Sequence, residues 1–125
     1  MLPGILGLLK TKGKEVLELE RLTIDIPDLN DSFSRAVLEG SVYNIRFTWN
    51  EAGQFWSFGL FTSLHEPIVQ SVKIVPRFPL NLQYIDSRLP NGVLGVYTEK
   101  ARVLRNDFKD GSAVFAYIPV NQGDV

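Results

Sequence analysis

Apolar and polar residues alternate most regularly over residues 43–61, YNIRFTWNEAGQFWSFGLF. Successive side chains of a strand point to opposite faces, so Tyr43, Ile45, Phe47 and Trp49 share one side and Asn44, Arg46, Thr48 and Asn50 the other. A reversal at Glu51-Ala52-Gly53-Gln54 predicts an antiparallel hairpin that sets Trp49 against Trp56, Phe47 against Phe58 and Ile45 against Leu60. Thr48 then meets Ser57, and Arg46 meets Gly59, on the reverse face. A slip of one residue would place the large rings opposite polar side chains, so the pattern dictates the register. Each aromatic cross-strand pair adds about 0.2–1 kcal/mol over an Ala–Ala pair, before the larger gain from ring burial. Tyr43, Ile45, Phe47, Trp49, Trp56, Phe58 and Leu60 are therefore the predicted packing centre.

The remaining strands are shorter. Residues 21–26 alternate Leu22, Ile24 and Ile26 against Arg21, Thr23 and Asp25 and end at Pro27. Residues 32–39 make a second strand with less regular alternation, and Gly40-Ser41 connects it tightly to the hairpin. After a turn at Leu64-His65-Glu66-Pro67, residues 68–75 carry Ile68, Val72 and Ile74 on one face and Val69 and Val75 on the other. That pattern predicts a strand buried on both sides or one carrying a bulge. Residues 80–85 alternate Leu80, Leu82 and Tyr84. Asn91-Gly92 is a turn signal, since both residues tolerate positive φ. Residues 93–98 follow, with Gly95 marking a bulge or a close backbone approach. In residues 99–109, Ala101, Leu104 and Phe108 suit a short helical face, and residues 102–104 suit an edge strand. Residues 112–120 close the domain, with Val114, Ala116 and Ile118 facing one way and Phe115 and Tyr117 the other.

Seven or eight short strands, punctuated by Pro, Gly and Asn-Gly and lacking a long helix, predict an all-β fold. The architecture is a small antiparallel β-barrel or β-sandwich. The expected organisation is an N-terminal arm at residues 1–22, the β-domain at 23–120 and a polar tail at 121–125.

The arm differs in texture from the rest. Leu2, Ile5, Leu8 and Leu9 form an apolar cluster, the last three spaced for one helix face, but Pro3, Gly4, Gly7 and Gly13 oppose a helix. These leucines either cover the domain's own core or dock on a neighbouring subunit, because exposed leucine clusters cost solubility. A membrane-active peptide is a third reading of a segment that is short and weakly amphipathic. Residues 15–20, EVLELE, suit the start of a strand or of a helix. The segment lacks a basic start and a small-residue cleavage pattern, so the mature chain is expected to start near residue 1.

Charge and composition narrow the chemistry. The 125 residues suit one domain, and 45% hydrophobic with 22% charged residues suits a globular one. A net charge of −1 gives no support to phosphate recognition, and Lys10, Lys12 and Lys14 read as a solvated run. With no cysteine, disulfides, thiolate catalysis and Cys-based metal sites are excluded. The one histidine, His65, lies in a turn and reads as a solvated loop residue. Asp25, Asp28 and Asp31 lack the alternate spacing and the glycine of an EF-hand loop, so turn chemistry accounts for them. Nucleotide-binding, zinc-protease and serine-hydrolase signatures are missing. Asp86, Glu99 and Asp107 are available for a paired-carboxylate glycosidase, but each sits beside turn residues. No catalytic, cofactor or metal site is expected, and no run of about 18 apolar residues is present to span a membrane. Trp49 and Trp56 could stack sugars or bases, yet Phe47, Phe58, Ile45 and Leu60 continue the same face, which a core explains in full.

The order of these signals over residues 24–119 resembles the small baseplate plug proteins of contractile-tailed, cyanophage-type bacteriophages. The resemblance rests on Ile24-Asp25-Ile26-Pro27, on Tyr43-x-Ile45-Arg46-Phe47-x-Trp49-Asn50, and on Trp56-x-Phe58-x-Leu60. The valine-rich strand at residues 68–75, Leu80-Asn81-Leu82, the Asn91-Gly92 turn and the closing apolar strand at 114–118 extend it. It implies an all-β virion protein of the tail baseplate, assembled in the host cytoplasm and seated between the tail tube and the hub and spike. Copies in a ring are implied, and no catalysis, cofactor, specific nucleic acid or membrane. The rival is a β-sandwich module that binds a ligand of carbohydrate type.

Overall fold

The computed structural model describes residues 21–76, 80 and 86–119. Among these residues seven antiparallel strands form, in chain order β1 (Leu22–Thr23), β2 (Asp31–Leu38), β3 (Ser41–Asn50), β4 (Phe55–Thr62), β5 (Pro67–Lys73), β6 (Val93–Thr98) and β7 (Ala113–Ile118). They make two sheets, ordered β1-β7-β6 and β2-β3-β4-β5, with no helix among the described residues. The fold is all-β as expected. Among the described residues the two sheets remain separate and do not close into a barrel, which fits the sandwich of the two expected architectures.

The β3–β4 pairing sets Trp49 against Trp56, Phe47 against Phe58, Ile45 against Leu60, and Arg46 against Gly59. This is the register that the alternation dictates. Tyr43, Ile45, Phe47, Trp49, Trp56, Phe58 and Leu60 are all buried. From the opposite sheet, Phe115 of β7 packs onto the Phe47–Phe58 pair of the hairpin. Its ring lies 5.1 Å from Phe47 and 5.2 Å from Phe58, edge-on to both. Burial of each such ring contributes about 1.5–3 kcal/mol, and edge-on geometry adds about 0.5–1.5 kcal/mol per pair. The two sheets are thus joined through phenylalanine rather than through backbone pairing.

A two-residue turn joins β2 to β3 and pairs Leu38 with Ser41. Both its residues have positive φ, 52° at Glu39 and 88° at Gly40. Such a turn matches the right-handed twist of the strands it connects. Asparagine or glycine is usual at its first position, so Glu39 carries backbone strain there.

β5 shows why its sequence alternated imperfectly. Phe58 pairs with Val72 but Leu60 with Val69, so β5 holds an extra residue between them. Three residues apart, Val69 and Val72 would face opposite ways in a regular strand, but the bulge turns both inward. Gly59 lies against the bulge, where a Cβ would come within 2.7 Å of the Gln70 carbonyl oxygen. Gly95, where a bulge was one expectation, pairs with Ala116 without a register shift.

Other segments depart from expectation. The strand expected over residues 21–26 is only two residues long. Ile24 N–H still donates to the Phe115 carbonyl at 2.9 Å, after which Pro27 and the following bend carry the chain to the other sheet. Residues 99–112 form neither helix nor strand. The buried Asp107 carboxylate draws in Leu104 N–H at 2.7 Å and Lys100 Nζ at 2.8 Å, which curls the segment into successive turns. Of the strand expected at residues 80–85 only Leu80 is described, and of the arm expected at residues 1–22 only Arg21 and Leu22, the latter already in β1. Leu80, which is described, donates its N–H to the Leu94 carbonyl at 2.8 Å beside β6.

Candidate interaction surfaces

One end of the sandwich is closed by two tyrosine hydroxyls. Tyr117, at the end of β7, is 1% exposed, and its hydroxyl donates to the Glu39 carboxylate of the β2–β3 turn. The same oxygen accepts Gly92 N–H at 2.6 Å. Tyr43 donates to the Arg88 carbonyl at 2.7 Å. Burial first, and then the bond to Glu39, push the Tyr117 phenol above its ordinary value. Gly92 is needed for space rather than for positive φ, correcting the turn expectation. A Cβ there would lie 2.2 Å from the Ile118 carbonyl oxygen. Beside this clamp runs an open groove of about 490 Å³, lined by Glu39, Tyr43, Thr62, Ile68, Arg88 and Asn91 among others. Of its lining, Glu39, Tyr43, Thr62 and Arg88 are tied into structural bonds.

The acids considered for catalysis are dispersed. Asp107 holds the 99–112 turns, as described above. Asp86 accepts Arg88 Nη2 at 2.8 Å, and the Arg88 side chain, with its backbone N–H, holds this carboxyl down to about 2. Neither these two nor Glu99 lines the groove. The aspartates of the first turn are likewise engaged one by one. Asp28 pairs with Arg105 at 3.0 Å and Lys109 at 3.1 Å, and Asp31 with Arg46 at 2.7 Å. His65 is exposed with a φ of 64°, and its ring meets Phe33 edge-on at 5.2 Å.

Trp49 and Trp56 offer no platform. They are 7% and 1% exposed and lie against each other at 5.5 Å. Arg105 lies over Trp56 from outside at 5.1 Å, and Phe108 packs on it at 6.1 Å. An indole face for a sugar ring is missing, which removes the observation that favoured the carbohydrate reading.

Two of the exposed apolar residues lie on β2. Phe33 is 46% and Val37 56% exposed on the outer face of the four-stranded sheet, with Arg35 exposed between them. Phe33 meets Phe61 of β4 edge-on at 5.4 Å, above the buried Asn44 of β3. The inward side of β2 carries only small residues, Ser32, Ser34 and Ala36, until Leu38. Between β2 and β1 lies an open cleft of about 510 Å³. Sequence reasoning missed both this edge and the Glu39–Tyr117 clamp. The exposed Phe33 and Val37 were a signal in the alternation, whereas nothing local to Tyr117 announces a partner so far back in the chain. Leu2, Ile5, Leu8 and Leu9 lie outside the described residues.

The family described as the cyanophage baseplate Pam3 plug gp18 matches residues 20–120, spanning every strand. The chain belongs to this baseplate plug family. No individually curated protein matches it. The resemblance read from residues 24–119 is thereby established, and plug-family membership gives the chain a structural role in the tail baseplate of a phage.

Proposed function

We propose that this plug-family chain seats between the tail tube and the hub and spike of the baseplate and joins them without catalysing a reaction. The observation that carries the reading is the family match across residues 20–120. A packed aromatic core and engaged acids suit a part whose work is to fit against other proteins. Copies stand in a ring, which requires two different complementary patches on each copy. Assembly takes place in the host cytoplasm, and neither specific nucleic acid nor a membrane is a partner. In this reading the arm, through Leu2, Ile5, Leu8 and Leu9, docks on an adjacent tail protein.

Removal of the gene from a phage that carries it tests the role. The expected result is free tubes and hubs that fail to join, with function restored by the chain supplied in trans. Fully assembled, contractile tails without it would overturn the proposal. Deletion of residues 1–13 tests the arm separately: reduced incorporation is expected, and unchanged incorporation would remove the arm from the account.

A further inference from the structure

β2, an edge of the four-stranded sheet, lies across an open cleft from the short β1. Open edges invite strand addition, and proteins commonly protect them with proline, lysine, bulges or short length. β5, the other edge of its sheet, starts at Pro67, carries two register shifts and ends at Lys73. β2 is eight residues long and pairs with β3 in unbroken register, without proline or lysine. Trp49 N–H donates to the Asn30 carbonyl at 2.8 Å, which sets the phase of that pairing. Even-numbered residues of β2 therefore bond to β3, and the N–H and C=O groups of Phe33, Arg35 and Val37 point outward. Arg35 forms no ion pair among the described residues.

We infer that this edge is an acceptor for one added antiparallel strand, supplied by residues 16–20 of a second copy of the chain. Three features of those residues fit the edge. Leu17 and Leu19 alternate with Val16, Glu18 and Glu20, so one side is apolar and the other carries two acids and a valine. With Glu18 opposite Arg35, Val16 meets the exposed Val37 and Glu20 falls opposite Phe33. Leu17 and Leu19 then enter the cleft of about 510 Å³ beside Ala36, Ser34 and Ile24, where β2's small side chains leave room. Main-chain bonds supply the affinity in such an addition, and the alternate side chains supply the selectivity.

The strand comes from another copy because the donor residues run directly into β1. Leu22 already pairs with Tyr117, and residues 16–21 contain no glycine or proline to reverse the chain onto its own β2. Residue 16 lies six residues ahead of the anchored Leu22, a reach of about 20 Å when extended, so the accepting copy packs directly against this end of the sandwich. One donor and one acceptor per copy is the head-to-tail arrangement that a ring uses. The inference deepens the reading of ring copies but rests on edge geometry, so purified protein tests it without the phage.

The chain has no cysteine, which makes crosslinking clean. Val16→Cys on a size-tagged full-length chain is mixed with Val37→Cys on an untagged one and oxidised mildly. A disulfide joining tagged to untagged chains is expected. No such species, or a disulfide formed only within single chains of the Val16→Cys/Val37→Cys double variant, overturns the inference. A charge swap reads the register. Arg35→Glu, at an exposed position, is expected to weaken self-association about tenfold in sedimentation equilibrium. Glu18→Arg in the same chain is expected to restore it. Unchanged association in Arg35→Glu, or no restoration by the swap, would also overturn it. Either failure leaves the baseplate role standing, and absence from the baseplate leaves the strand exchange standing.

Discussion

The Tyr117 hydroxyl donates to the carboxylate of Glu39, 78 residues earlier in the chain, and so ties the end of one sheet to the turn of the other. Because the same oxygen accepts Gly92 N–H, removing it strands a buried donor as well as an acceptor. Tyr117→Phe should cost about 1–3 kcal/mol of stability in urea denaturation, the usual penalty for an orphaned buried polar group. Glu39→Gly should cost less, since it relieves the positive-φ strain while losing the bond. In the double variant the losses should fall short of additive by about 0.5 kcal/mol or more. Additive losses would mean that the two side chains do not cooperate.

The same tyrosine governs alkaline stability. Burial is the main cause that raises both the Tyr117 and Tyr43 phenols above 10.0 in the folded protein, with Glu39 adding to each. Unfolded tyrosines ionise near pH 10. Below that pH both states keep their protons, so the denaturation midpoint should be level from about pH 7 to 9. Above it only the unfolded chain ionises, and stability should fall as pH rises. In Tyr117→Phe that alkaline fall should be shallower, which denaturation series at stepped pH will show.

Two glycines should respond to alanine for different reasons. Gly40 has a φ of 88° with open space around its Cα, so Gly40→Ala should cost about 1–2 kcal/mol through backbone strain alone. At Gly92 the new methyl would collide with the Ile118 carbonyl and with the Tyr117 ring. Backbone cannot yield there as a flexible side chain would, and Gly92→Ala should cost more than Gly40→Ala and should break the Tyr117 bond. Thermal midpoints of the two variants rank them.

Both indoles are enclosed, so acrylamide should quench tryptophan fluorescence weakly until the protein is unfolded. Mono- and oligosaccharides should leave the emission unchanged. Strong quenching in the native state, or a saturable response to a sugar, would place an indole on the surface.

How much of this was legible in the sequence follows from where each signal resides. The β3–β4 register was readable because Trp49, Trp56, Phe47 and Phe58 leave only one pairing that buries them all. The Val69 and Val72 placement was half readable: their spacing demanded a bulge or two-sided burial, and the partner strand at Gly59 decided between them. The turn at residues 106–111 was readable, but the helical face of Ala101, Leu104 and Phe108 and the edge strand at 102–104 were misread, because Asp107 looks like a surface turn acid, whereas it is 4% exposed and organises the segment from inside. Gly92 was assigned a conformational role, but its need comes from Ile118 and Tyr117, which are distant in sequence. The β2 edge shows in the alternation of Phe33, Arg35 and Val37, yet only the strand order reveals that nothing among the described residues pairs beyond it.

The most direct test of the structural role is location. A small C-terminal tag on the chain, marked with gold on intact virions, should appear at the tail tip, at the plate end of every labelled particle. Label confined to unassembled protein, or scattered over heads and sheaths, would contradict a place in the baseplate.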